Sequence, residues 1–95
     1  MLKLIYKELK SLQVCKSAYH FSYAFLGKAK SYYSVLLATG IQPSIGAISM
    51  LEISMLVEAQ NHNGTVKDRL LELSNELGQL RILKCKERFA IINEE

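Results

Sequence analysis

The sequence predicts an all-α protein of five helices, the last of them long. Apolar residues recur at three- and four-residue spacings along most of the chain, which is typical of amphipathic helices. Only one proline and five glycines occur in the 95 residues, and these residue types interrupt helices. With 49% hydrophobic residues, the chain has enough apolar side chains for one packed core. We therefore expect a single domain overall.

The first three predicted helices are short and closely spaced. Helix one is expected over residues 2–12, where apolar residues share one side and lysines lie between them. Ser17 is a suitable N-cap for helix two over residues 18–26, and Gly27 is a suitable residue to end it. Helix three is expected over residues 30–38. Its Tyr33 is expected in the core, whereas its Tyr32 is expected either on the exposed side or packed on lysine stems.

Helix four is predicted over residues 44–60, directly after Pro43, which favours a helix start. Its apolar residues lie on most sides of the helix, and Met50 and Met55 are expected in the core. A helix that is apolar nearly all round has to be covered on both sides. Helix five or a second subunit is therefore expected to pack against it.

Helix five begins near residue 65 and carries leucines in the spacing of a coiled-coil seam. The seam lasts little more than two heptads, so these leucines are expected either to pack on helix four or to form a homodimer: Leu70, Leu73, Leu77 and Leu80. Phe89 and Ile92 continue the stripe further round the helix. We divide the chain into a unit of residues 1–62 and a C-terminal helix of residues 63–95 for packing or dimerisation.

Composition excludes several classes of function. No apolar run reaches the roughly 18 residues that span a bilayer, so no membrane partner is expected. Cys15 and Cys85 are far apart and, with His20 and His62, show no metal-ligand spacing, so no metal or cofactor is expected. We interpret both cysteines as reduced thiols of a cytoplasmic protein without a signal peptide. No catalytic triad, paired carboxylates or phosphate-binding glycine loop can be assembled, so we expect no enzyme.

The positive charge is concentrated in the first half of the chain. The net charge of the whole chain is +3. Up to residue 44, Glu8 is the one acidic residue, against six lysines: Lys3, Lys7, Lys10, Lys16, Lys28 and Lys30. This half is where a polyanion such as DNA would dock.

The segment Phe25–Ser34, followed by Gln42–Ser44, resembles the helix-turn-helix of the phage repressor and Cro family. That family has a leucine-glycine pair closing the first helix of the motif, a polar start to the recognition helix and a proline-serine start to the next helix. The resemblance covers about residues 1–57. It implies a repressor-like fold with a long additional C-terminal helix in this chain, duplex DNA as partner, and a role as a small transcriptional regulator acting as a homodimer.

The chain departs from the family pattern in three places. Ser22 occupies a position where a small residue, often alanine, packs the two helices closely. One residue more than usual separates Phe21 from Gly27, so helix two or the turn is expected to be altered. Ala18 occupies a position where the family often carries a phosphate-contacting glutamine, which puts one backbone contact in doubt.

The resemblance also implies which residues would contact DNA. The recognition helix of this family enters the major groove with its N-terminal end toward the bases. Here the residues near that end are Lys30, Ser31, Tyr32, Ser34 and Val35. Lysine and serine can donate to base edges and valine can contact a thymine methyl. Lys28 and Ser17 would contact phosphate, which fixes orientation but not sequence.

A protein-interaction adaptor without DNA binding is the alternative. The net charge is low and the recognition helix contains neither arginine nor asparagine. Helix-turn-helix folds also serve purely as interaction modules, so fold does not fix function. On this alternative, helix four and the leucines of helix five would bind another protein.

Overall fold

The computed structural model describes the backbone of residues 2–94 and the side chains of residues 2–87. Every regular element in residues 2–94 is helical, which confirms the predicted class and the long C-terminal helix. The helices are α1 (Leu2–Ser11), α2 (Ala18–His20 continuing into the π-helical segment Phe21–Phe25), α3 (Tyr32–Thr39), α4 (Ile45–Ala59) and α5 (Gly64–Glu94). Phe89 and Ile92 lie outside the described side chains.

The π-helical segment of α2 accounts for the extra residue between Phe21 and Gly27. The amide of Leu26 donates to the carbonyl of Phe21, five residues earlier, at 3.0 Å. Such a bond encloses one residue more than the α-helical bond does. The widened turn is stabilised from outside, because the Ser54 hydroxyl of α4 lies 3.2 Å from the carbonyl oxygen of Ala24 and 3.3 Å from that of Phe25. The additional residue is thus absorbed inside α2, not in the turn after it.

One core joins all five helices. The buried side chains run from Ile5 of α1 to Leu77 of α5, and α4 packs along α5. Phe21 and Tyr33 meet in this core with their ring centroids 5.0 Å apart. Residues 1–62 and 63–95 therefore share a core, as expected for a single domain.

The leucine stripe of α5 packs within the chain. Leu70, Leu73 and Leu77 are buried against the core, and Leu80 is partly buried beside it. Of the two alternatives, packing within the chain is the one observed for Leu70, Leu73 and Leu77, so these three are not the dimerisation residues that were predicted. Leu80 is covered only in part. The seam spacing showed that the stripe had to be covered, but it did not show by which helix.

Two ion pairs attach α5 to the other helices. The guanidinium of Arg69 donates two hydrogen bonds to the carboxylate of Glu8 in α1, one of them at 2.8 Å. Arg81 donates to Glu52 of α4 at 2.9 Å. Between them, α5 passes so close to α4 at Gly78 that a Cβ there would lie 2.9 Å from Oε1 of Glu52. A larger residue at this position would therefore meet the Glu52 carboxylate that Arg81 binds.

Helix α4 is covered on one side only. Leu51 and Met55 are fully buried, and this confirms the placement of Met55 in the core. The placement of Met50 there was wrong, since its side chain is 41% exposed. Among the described residues, nothing covers the other side, so of the two covers that were expected, helix five provides one side only and a second subunit stays a prediction.

The two cysteines differ in their exposure to solvent. Cys15 is buried and Cys85 is exposed, and both are free thiols. Within residues 2–94, none of the helices combines the length and the apolar character needed to cross a membrane.

Candidate functional site

The turn between α2 and α3 depends on Gly27. Its φ of +65° lies in the left-handed region, where a Cβ is unfavourable. The amide of Lys28 then donates to the carbonyl of Ser22 at 3.0 Å and closes the end of α2. A Cβ on Gly27 would lie 3.0 Å from Cγ of Met50, so the turn rests directly on α4. Backbone conformation and packing both require glycine here.

Ser22 connects α2 to α3 through its buried hydroxyl. Its Oγ donates to the carbonyl of Ala18 at 2.9 Å and accepts a hydrogen bond from the amide of Tyr33 at 3.0 Å. The first amides of a helix have no partner inside the helix, so this bond satisfies one of them. Serine at this position thus fixes the start of α3 relative to α2.

The two lysines of the turn lie over tyrosine rings. Nζ of Lys28 is 5.7 Å from the ring centroid of Tyr32, and Nζ of Lys30 is 6.0 Å from that of Tyr23. Both lysines are exposed. Cation–π contacts of this kind favour particular positions of an otherwise flexible ammonium group. They hold two positive charges next to the N-terminal end of α3.

The outer face of α3 consists of Ser31, Ser34, Val35 and Ala38, which are three or four residues apart and all exposed. Tyr33 lies on the opposite side and is buried, as expected. Within the described part of the chain, the Ser31 side chain makes no cap hydrogen bond, so its hydroxyl is available to a ligand. Three of the predicted contact residues, Ser31, Ser34 and Val35, are therefore together on one accessible surface.

Two other predicted contact residues have structural roles. Ser17 caps α2, since its Oγ accepts from the amide of His20 at 3.1 Å. Tyr32 is half-buried, and its hydroxyl accepts a hydrogen bond from the amide of Ser44 at 3.2 Å. Tyr32 thereby connects the start of α3 to the start of α4 while its ring supports Lys28. Tyr32 was expected either on the exposed side or packed on lysine stems; the structure shows it half-buried, with the ammonium of Lys28 near its ring.

A groove of about 270 Å³ lies on the inner side of α3. Its walls are formed mainly by apolar side chains of α3, α4 and α5, among them Leu36, Ile48 and Leu80, with Lys3 and Lys84 also lining it. The C-terminal half of α3 thus borders an open groove. The firm attachments of α3 are at its N-terminal end, where Ser22, Tyr32 and Tyr33 hold it.

The surroundings of α3 carry no negative charge from nearby sequence. Between Glu8 and Glu52 the chain contains no acidic residue, and both of these carboxylates are paired with arginines of α5. Among the described residues, no group of three or more histidine, cysteine or acidic side chains could hold a metal ion. The arrangement can therefore hold an anion or present hydrogen-bond donors.

Sequence reasoning missed Ser22 and Tyr23 as parts of this site. A hydroxyl at a close-packing position was the signal for Ser22, but its bond to Tyr33 spans eleven residues and depends on the tertiary fold. Tyr23 precedes Lys30 by seven residues, but the turn at Gly27 lies between them, so helical spacing does not predict their contact. The structure adds both as residues that position α3 and its lysines.

These features define a small all-helical protein in which a short helix pair, joined by a tight glycine turn, is mounted on a long helical hairpin. Residues 2–91 match the model of a protein family described as a family of unknown function, DUF6626. Because the match spans nearly the whole chain, the protein belongs to that family. Neither a curated protein nor a solved structure matches the chain.

Proposed function

We propose that this protein binds duplex DNA through α3, without catalysis, as a homodimeric transcriptional regulator in the cytoplasm. The observation that carries the proposal is the outer face of α3, which is exposed and has Lys28 and Lys30 beside its N-terminal end. A duplex carries one negative charge per ≈ 1.7 Å of its axis, so it attracts such a surface. The absence of acidic residues between Glu8 and Glu52 supports the same partner, since no nearby carboxylate in sequence would repel phosphate.

The roles within the interface follow from side-chain chemistry. Lys28 and Lys30 contact phosphates and supply the salt-dependent part of the affinity. Ser31 and Ser34 donate to base edges, and Val35 contacts a thymine methyl group. Ser17 retains a hydroxyl proton for phosphate while its oxygen caps α2. Because these side chains discriminate bases less strongly than arginine or asparagine, we expect modest sequence specificity.

The test is a fluorescence anisotropy titration of random-sequence duplex DNA at several salt concentrations. The wild-type protein should bind at low salt and lose affinity linearly on a log–log plot against salt. The double variant Lys28→Gln/Lys30→Gln should bind more weakly, with a slope that is smaller by roughly one unit for each phosphate that the variant no longer neutralises.

The matched control is Lys67→Gln/Lys86→Gln, which removes the same charge from exposed positions on α5. It should leave affinity and salt slope close to those of the wild type. If both double variants weaken binding equally, only net charge matters and α3 is not the interface. Absence of wild-type binding at low salt would refute the proposal for DNA altogether.

A protein-interaction adaptor is the second candidate function, and a specific observation favours it. The side of α4 that faces away from α5 exposes four large aliphatic side chains: Met50, Ile53, Leu56 and Val57. Apolar patches of this kind usually mark contact surfaces. Leu70, Leu73 and Leu77 of α5 cannot contribute to such a surface, because they are buried in the core. If the duplex titration fails, this part of α4 is the place to look for a protein partner.

A further inference from the structure

The exposed side of α4 lacks charge along its whole length. Its outer face consists of residues that recur every three or four positions: Gly46, Ser49, Met50, Ile53, Leu56, Val57 and Gln60. The two carboxylates of α4 lie off this face. Glu52 is paired with Arg81, and Glu58 lies 3.4 Å from His62. The solvent side of a helix normally carries charged residues, so a face of this composition is unusual for a surface that stays in contact with water.

The absence of charge indicates which partner covers the face. In a two-fold dimer the same surface occurs on both copies, so a charge near the axis would meet its own like charge. Foreign partners, in contrast, are usually selected by complementary charges. A face with aliphatic side chains at its centre and only uncharged residues around them fits a second copy of itself.

We propose that the outer face of α4 is the homodimer interface, with the α4 helices of two copies packed antiparallel about a two-fold axis at Ile53. In this register Ile53 meets Ile53 of the second copy, Met50 lies beside Val57 of that copy, and Ser49 lies beside Leu56. Large residues thus face smaller ones, and the helix dipoles oppose each other. Gly46 has nothing but Ser44 within 4 Å of where its Cβ would be, so the helix ends can approach.

This interface gives the proposed function its two-fold symmetry. Gly27 of the α2–α3 turn packs on Met50, at the edge of the outer face of α4. Dimerisation therefore fixes the two turns relative to each other. The inference specifies the dimer within the proposed function, but dimerisation itself does not require DNA to be bound, so the two are measured separately.

The first experiment is sedimentation equilibrium of the full chain without DNA, for the wild type and for Ile53→Glu. The wild type should associate to a dimer as its concentration rises. Ile53→Glu places two carboxylates against each other at the axis, so its dimer dissociation constant should rise by more than about tenfold. Ile53 is 53% exposed, and the variant should therefore keep its circular dichroism spectrum.

The matched control is Ile82→Glu, which makes the same substitution at an exposed isoleucine of α5 that lies off this face. It should dimerise like the wild type. A monomeric wild type at all concentrations would overturn the inference, and so would equal weakening by Ile53→Glu and Ile82→Glu.

A charge pair tests the register. Met50→Lys and Val57→Glu should each weaken the dimer, whereas the double variant should recover most of the affinity because lysine then faces glutamate of the other copy. Failure of the double variant to recover would contradict the antiparallel register.

Dimerisation and DNA binding can be separated. If Ile53→Glu is monomeric yet still binds DNA, with a salt dependence that corresponds to the phosphate contacts of a single α3, the dimer inference is supported independently of the DNA proposal. If the wild type dimerises but does not bind DNA, the DNA proposal alone fails.

Discussion

At the scale of single residues, the hydroxyl of Ser22 decides how α3 is mounted. This side chain is fully buried and bonds to the backbone of both α2 and α3. A buried polar group is tolerated where its hydrogen bonds are made, and here one serine satisfies an amide that no helical carbonyl can reach. The candidate interface therefore depends on a residue that would never contact DNA.

Replacing Ser22 with alanine should destabilise the protein by about 1–3 kcal/mol, because the amide of Tyr33 is left buried without a partner. Urea unfolding followed by circular dichroism measures the change. Ser34→Ala, an exposed serine of α3, serves as the control and should change the free energy of unfolding by no more than about 0.5 kcal/mol. A Ser22→Ala variant as stable as the Ser34→Ala variant would show that the buried bond contributes nothing.

At the scale of elements, α1 is attached to α5 by the pair of Glu8 and Arg69. The hydrogen bonds from Arg69 lower the pKa of Glu8, desolvation by the surrounding helices opposes this, and the positive charge of Arg69 lowers it further. Both side chains remain about one-third exposed, so solvent screens the pair and its contribution to stability is small.

The pH dependence of the Glu8 pair has a definite sign. A carboxylate with a lowered pKa stabilises the folded state at pH values above its unfolded pKa, about 4.3, and this stabilisation is lost as the pH falls through the folded value. Glu8→Gln should therefore reduce the free energy of unfolding by at most about 1 kcal/mol at pH 7. The difference from the wild type should shrink toward zero as the pH is lowered through the folded pKa.

Urea unfolding of both proteins across this pH range provides the measurement. Glu87→Gln changes an exposed carboxylate on α5 in the same way and should show a smaller difference throughout. A Glu8→Gln deficit that grows as the pH falls would contradict the assignment.

At the scale of the whole molecule, the two sides of α4 differ sharply in exposure. Its inner side, with Leu51 and Met55, belongs to the core against α5 and α2. Its outer face carries exposed aliphatic residues and the contact to the α2–α3 turn. Substitutions on the two sides of this one helix should therefore affect different properties of the protein.

Leu51→Ala should reduce the free energy of unfolding by about 2–5 kcal/mol, since it leaves a cavity in a fully buried site. Leu56→Ala makes the same chemical change on the outer face, where the side chain is 42% exposed. In the dilute monomer, this variant should reduce the free energy of unfolding far less than Leu51→Ala does. At high concentration it should weaken self-association. Thermal unfolding at low concentration and sedimentation at high concentration separate the two effects. Equal loss of stability from both variants would contradict the division of α4 into two sides.

Much of the fold was predictable from local patterns. The helix positions followed from apolar spacing, from Ser17 and Gly27 as the ends around α2, and from Pro43 before α4, because these signals act within a few residues. The spacing between Phe21 and Gly27 predicted an alteration in helix two or in the turn, and only the structure showed that it is a π-helical segment. Of the candidate site, the exposure of Ser31, Ser34 and Val35 follows from their spacing opposite Tyr33, but the supports at Ser22 and Tyr23 depend on contacts across the turn.

The sequence by itself determined that this protein is all-helical, where its helices begin and end within a few residues, and that α4 and the stripe from Leu70 to Leu80 need cover. Only the tertiary structure decided how that need is met. An apolar stripe gains free energy against any apolar surface, so its pattern does not name its partner. In the fold, α5 packs against α4 of the same chain, and Leu70, Leu73 and Leu77 are buried. The outer face of α4 is left exposed because no other helix of the described chain reaches it.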